Sequence, residues 1–162
     1  MEPTTLQDLF IKVLKDTYDA EYQITKALPR MAEAAKSVRL TTAFEEHLAQ
    51  TENHIKRLEM VFESLNLKPS RRACKGMQGL IAEGAEMLKA AVPPDVMDAG
   101  LIAATQKVEH YEIAAYGTLV AYANLLGLDT AAKTLHETLD EEKNMDEKLT
   151  VLAENTVNVR AA

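Results

Sequence analysis

The sequence predicts an all-α fold: a four-helix bundle whose one long crossover carries a short fifth helix. Three observations predict it. Apolar residues recur at helical spacing over most of the 162 residues, with little that alternates as a strand would. The core material is aliphatic, because aromatics are only 5% of the chain and Trp is absent while hydrophobic residues reach 47%. The chain also repeats itself once: Glu21 precedes Glu112 by 91 positions, and Leu28 and Leu119, Leu48 and Leu139, and Leu58 and Leu149 match at the same offset without a gap. Self-similarity of this kind marks a duplicated supersecondary unit. Here the unit is a helical hairpin, and two hairpins make a bundle.

Each element has its own signals. The first helix starts after Pro3 with Thr4 or Thr5 as N-cap and Asp8 in its first turn, where a negative charge favours the helix dipole. Its stripe of Leu6, Leu9, Phe10, Val13, Leu14, Tyr18, Ile24 and Leu28 runs into Pro29, which predicts a kinked helix continuing to Ala35. The second helix is expected to be capped by Thr41 or Thr42, with Glu45 at capping-box spacing from Thr42, and to fade at residues 66–69. These two helices make the first hairpin, about 5–66. A long connection follows, with a short helix expected over Gly79 to Ala91. The second hairpin, about 95–155, has a helix from Asp95 to Leu126, a stop at Gly127, and a last helix capped by Asp129 or Thr130. The tail to Ala162 carries no signal and is expected to be loose.

Short turns inside each hairpin make its helices antiparallel, and the long link lets the second hairpin start at the far end of the bundle. That is the connectivity of ferritin-like bundles, with residues 1–162 as one domain. Composition narrows the rest. A net charge of −7 argues against binding nucleic acid through phosphates, and no apolar run approaches a membrane span, so neither nucleic acid nor membrane is expected as a partner. The single cysteine, Cys74, precludes an intrachain disulfide and fits a reducing compartment, and the acidic start lacks the pattern of a signal peptide. The expected location is the cytoplasm.

The candidate site lies in polar residues that interrupt the apolar stripes. Glu21 shares a face with Leu14, Tyr18 and Leu28, and Glu112 shares one with Val108, Ala115 and Leu119. Carboxylates so placed must be protonated, paired or bound to a cation. The corresponding face of the second helix carries His47, Thr51 and His54; that of the last carries Thr138, Glu142 and Met145. Di-metal bundles take one Glu from each of two helices and Glu-x-x-His from the other two. This chain has Thr51-x-x-His54 and Glu142-x-x-Met145 instead. The pattern survives at Glu21, His54, Glu112 and Glu142, with Glu109, His47 and Asp146 as reserves. Three carboxylates and an imidazole suit iron or manganese.

Plainer readings stand beside this one. Glu21 on its own reads as a surface residue, and His54 on its own as a hydrogen-bonded helix residue. Of the run Asp140-Glu141-Glu142, one member is expected to turn inward and the others to be solvated. Cys74, among Lys68, Arg71, Arg72 and Lys75, reads as part of a surface basic patch before it reads as a redox sensor.

Four segments, Asp8-Leu9-Phe10, Ala27 to Met31, Gln106 to Glu112 and Thr138 to Lys143, resemble the YciE/YciF family of ferritin-like proteins. The resemblance covers about residues 5–157. It implies a rubrerythrin-like bundle, a homodimer, an association with bacterial stress, and inward carboxylates at Glu21, Glu112 and Glu142. Apolar residues near the N-terminus, Leu6, Phe10 and Ile11, offer a surface for such a dimer. Thr51 and Met145 depart from a full di-iron pattern. Two functions follow: a metal-dependent stress protein, iron- or manganese-loaded, that handles peroxide or dioxygen, or a metal-free bundle that acts by dimerising or binding a protein partner. A gap between helices that takes a small molecule or lipid is a third.

Overall fold

A computed structural model describes residues 2–162. Helix α1 spans Leu6–Ala34, α2 Val38–Ser64, α3 Lys75–Lys89, α4 Pro94–Leu125 and α5 Asp129–Leu152. A π-helical turn, Ala153–Val157, leads into a final short helix α6, Asn158–Ala161. The tail is therefore helical rather than loose, with Ala153 and Val157 buried against the bundle.

Helix α1 packs on α2 and α4, and α5 packs on α2 and α4, while α3 lies outside against α4 and α1. Contacts between Lys36 and Asp98, Met31 and Thr105, and Glu21 and Tyr116 run α1 antiparallel to α4. Contacts of Glu46 with Lys148, His54 with Glu141, and Arg57 with Thr138 do the same for α2 and α5. The crossover through α3 is what permits this arrangement.

The helix ends show local and tertiary control in turn. Thr5 caps α1 in a reciprocal capping box with Asp8. Pro29 sits inside α1 without ending it. Helix α2 begins three to four residues before the expected caps: Ser37 occupies the cap position without a side-chain bond. Asp98 of α4 accepts the Lys36 and Ser37 N–H groups instead, at 2.7 and 2.8 Å. At the other end of α2, Asn66 takes φ +56°, and Leu67 N–H donates to Phe62 O while Asn66 N–H donates to Glu63 O. Gly127 does the same for α4 at φ +69°, with Leu128 bonded to Ala123 and Gly127 to Asn124. Both are Schellman ends, which require a residue tolerant of the left-handed conformation. Helix α3 starts four residues earlier than the sequence predicts, because the buried Cys74 is its N-cap and accepts from Met77 N–H. Cys74 is therefore no part of a surface patch. It is 3% exposed, and the neighbouring Arg72 and Arg71 pair with Asp16 and Asp19.

The core is two apolar clusters, not one. Phe10, Leu14, Tyr18, Leu58, Phe62, Leu119 and Leu135 fill one end. Ile24, Leu28, Leu40, Phe44, Leu101, Met145 and Leu149 fill the other. Each fully buried Phe or Leu contributes about 1.5–3 kcal/mol of burial. Phe10 is spent here, fully buried, so the N-terminal apolar surface reduces to the partly buried Leu6 and Ile11. The boundary falls between Tyr18 and Ile24 on α1, Phe44 and Leu58 on α2, Val108 and Tyr116 on α4, and Leu139 and Met145 on α5. Every candidate ligand except Asp146 lies at that boundary.

Candidate metal centre

The polar layer between the clusters holds Glu21, His47, Thr51, His54, Glu109, Glu112, Thr138 and Glu142, all at most 1% exposed. Their donor atoms gather in two groups: His47, Glu109, Glu112 and Glu142 form one, and Glu21, His54 and Glu142 the other. Within each group the donors lie within 4.8 Å of one another. Glu142 belongs to both, so its carboxylate stands where a bridge between two adjacent sites would be.

All four residues of the sequence pattern thus occur in the layer, and two of the three reserves join them. Asp146 does not. It lies one turn further along α5, paired with His110 at 3.2 Å and accepting from Gln106 at 3.2 Å.

The two reserves change the inventory. With them the layer holds four carboxylates and two imidazoles, the same complement that one Glu on each of two helices and two Glu-x-x-His motifs supply. The repeat assigns a Glu to position 51 and a His to position 145; the chain has Thr51 and Met145, both buried. The missing carboxylate comes from Glu109, one turn before Glu112. The missing imidazole comes from His47, one turn before Thr51. Thr51 turns its hydroxyl back to the His47 carbonyl at 2.8 Å, the ordinary resting bond of a helical threonine.

Hydrogen bonding around the layer leaves the inward atoms free. His54 Nε2 lies 2.7 Å from Glu141, which also receives two bonds from Arg57, at 2.8 Å each. That makes Nε2 a donor to Glu141 and turns Nδ1 inward, where Glu142 and Glu21 lie at 2.9 and 3.5 Å. A carboxylate behind an imidazole in this way orients and strengthens a metal ligand. Tyr116, fully buried, donates to one oxygen of Glu21. The other oxygen of Glu21, both oxygens of Glu109, Glu112 and Glu142, both nitrogens of His47 and Nδ1 of His54 have no aligned hydrogen-bond partner. His47 Nε2 is only 3.0 Å from Glu109, so the two meet as charges without an aligned N–H. Buried orphans on this scale are rare, because each forfeits its hydration for nothing.

Electrostatics express the same crowding. Burial, followed by the charges of Glu142, Glu21 and Glu109, pushes the Glu112 carboxyl well above the usual range. Burial pushes Glu109 to about 8 against the pull of His47. Burial opposes charge on the imidazoles, but Glu109 carries His47 up to about 9, and Glu142 and Glu21 carry His54 up to about 11. Glu142 is held down at about 2: burial opposes its charge, and His54 and His47 overcome it. Glu141 is lowered by Arg57 above all.

Glu141 and Arg57 were not legible as site residues. Glu141 is next to Glu142 on α5 and partly exposed, as a solvated residue would be. Only the approach of α2 gives it His54 to hold. Tyr116 carries no site signal in the sequence either; its hydroxyl bond to Glu21 needs α1 beside α4.

A four-helix bundle with a buried carboxylate–imidazole layer midway along it is the class of protein that these features define. The chain belongs to the family described as a domain of unknown function, DUF892, whose model matches residues 5–162. It is 51% identical to protein YciF of Escherichia coli (strain K12) over 162 residues, covering 99% of this chain and 98% of that one. The crystal structure of the E. coli stress protein YciF superposes with a TM-score of 0.93, covering 96% of this chain and 99% of that chain. YcfI of Rhodopseudomonas palustris, 44% identical, superposes with a TM-score of 0.89 over 91% of this chain and 94% of its own. A Xanthomonas campestris protein at 24% identity shares the fold, with a TM-score of 0.77 over 96% of this chain and 95% of its own. Among the described residues no helix is long and apolar enough to cross a membrane.

Proposed function

We propose that this protein holds two divalent iron or manganese ions in the polar layer and acts, as a stress protein like its E. coli relative, on peroxide or dioxygen. The observation that carries this reading is the set of orphaned donors: seven carboxylate oxygens and three imidazole nitrogens of one layer, buried without hydrogen-bond partners. The donor chemistry fits. Four carboxylates and two neutral imidazoles carry four negative charges, which two divalent cations cancel. The lone thiol, Cys74, is in neither group, and mixed oxygen and nitrogen donors suit iron and manganese. One ion would take His47, Glu109 and Glu112, the other Glu21 and His54, with Glu142 between them.

Iron or manganese held there supplies a redox change at a position shielded from bulk water. The chain's own residues do the rest. Glu141 and Arg57 fix the ring of His54, and Tyr116 holds one oxygen of Glu21 and keeps a proton within reach of it. The apolar clusters on either side keep the layer dry, so charges there act in a low dielectric. A cytoplasmic homodimer remains part of this proposal, and light scattering at micromolar protein tests the dimer.

Metal analysis is the decisive test. Purified protein loaded anaerobically with Fe(II) or Mn(II) should retain about two ions per chain, the nuclearity of a four-carboxylate bundle site. Glu112→Gln should lower retention of both metals and raise the stability of the metal-free protein. Wild-type protein that retains neither ion would instead support a metal-free interaction protein.

A further inference from the structure

A second feature adjoins the layer. Between α1, α3 and α4 lies a cavity of about 260 Å³. Its walls are aliphatic, with Ile24 and Leu28 from α1, Leu80 and Ile81 from α3 and Val108 from α4 among them. Its polar lining is asymmetric. His47 is in the wall, 1% exposed with neither ring nitrogen hydrogen-bonded. Lys26 and Arg30 are also in the wall but exposed, so they mark the solvent side. The lining contains no carboxylate, although the protein carries a net charge of −7. Lys26 and Arg30 are four apart on α1, on one face, and neither makes an ion pair among the described residues, whereas Arg57, Arg71 and Arg72 all do. The α1 wall runs from Gln23 to Met31, roughly 12 Å of helix.

An elongated apolar cavity with two free cations at its mouth fits one kind of molecule. We propose that it binds a linear aliphatic carboxylate, its headgroup between Lys26 and Arg30 and its chain running inward toward His47. Aliphatic walls take the chain by burial, and the cations offset the desolvation of the headgroup. As a binding site this stands on the cavity alone. As the substrate site of the metal centre it rests on the function proposed above, because His47 is the group that the two share.

Decanoate is the probe, titrated calorimetrically into metal-free protein and into protein loaded with Co(II). Saturable one-to-one binding to metal-free protein is expected. The double variant Lys26→Glu/Arg30→Glu lies on the surface and should weaken binding by about tenfold or more, with 1-decanol as weak on the wild type. Ile81→Trp should abolish binding by filling the cavity. No saturable binding, binding indifferent to both variants, or decanol as tight as decanoate would overturn the proposal. Saturating decanoate should also shift the visible bands of the Co(II) protein. Unmoved bands would overturn the placement against His47. Failure to take up Co(II), with decanoate still bound and still sensitive to the variants, would sink the metal reading and leave the cavity assignment supported.

Discussion

The two hairpins share a fold and divide the chemistry. The first, α1 and α2, brings Glu21, His47 and His54 to the layer: one carboxylate and two imidazoles. The second, α4 and α5, brings Glu109, Glu112 and Glu142: three carboxylates. Some apolar positions repeat between them: Leu28 and Leu119, and Leu58 and Leu149, are all buried. Of the ligand positions only Glu21 and Glu112 repeat; Glu142, His54, His47 and Glu109 face Thr51, Met145, Thr138 and Tyr18 at the same offset. A duplicated hairpin can lose a ligand from one helix and regain it from another, because what a metal requires is donors converging on a point. Packing is stricter, because a lost core side chain leaves a cavity that only its own neighbours can fill.

The sharpest way to break the division is at Glu142, where the two donor groups meet. Glu142→Gln should remove both ions, with a loss of affinity beyond the roughly 10–100-fold typical of changes behind the ligands. Metal analysis after gel filtration would read it; full retention of one ion would show that Glu142 is no bridge. A rescue experiment sharpens the comparison further. His47→Ala should lose one ion, and adding Met145→His, which places an imidazole where the repeat assigns one, should restore it. A double variant no better than the single would mean that His47 does not stand in for position 145.

Next in size is the response of metal-free protein to pH. His47 and His54 have folded pKa values raised above their unfolded one, so their contribution is complete below about pH 6.5. It fades as pH rises, that of His47 around pH 9. Glu109, raised to about 8, keeps its proton longer in the folded state and so also lowers stability as pH rises above its unfolded value. Metal-free protein should therefore lose stability from pH 6.5 to 9, by at least about 1 kcal/mol or ~3 °C in Tm. Metal-loaded protein should do the reverse over neutral pH, because binding displaces those protons. Thermal melts of the two forms in parallel test the sign, and a metal-free form that gains stability with pH would contradict it.

The smallest effects compare two helix starts. Asp98→Ala strips two backbone N–H groups at the start of α2 of a buried acceptor, at about 1–3 kcal/mol each as an upper figure. Thr5→Ala removes a local, exposed cap from α1, at about 1 kcal/mol. Urea unfolding should rank Asp98→Ala well below Thr5→Ala in stability; equal losses would mean that solvent replaces Asp98.

Those two caps show what kind of information each level holds. Thr5 and Asp8 are three residues apart, so the start of α1 is written in the local sequence, and so are the stop at Gly127 and the inward turn of Glu21, Glu112 and Glu142 on apolar stripes. Helical periodicity and the offset of 91 likewise determined the all-α bundle, because both reflect which residues share a face of one helix. What lay beyond the sequence depends on which helices become neighbours. The start of α2 follows an aspartate on α4, some sixty residues on; Cys74 is buried because α3 docks beside α1 and α4; the tail is helical because it packs on α4 and α5. The promotion of His47 and Glu109 from reserves into the layer, the exclusion of Asp146, and the support of His54 by Glu141 and Arg57 are of the same kind. A helix sets the face on which a donor projects, but the axial stagger of one helix against the next sets which turn of that face meets its partners, and stagger is a property of tertiary packing alone.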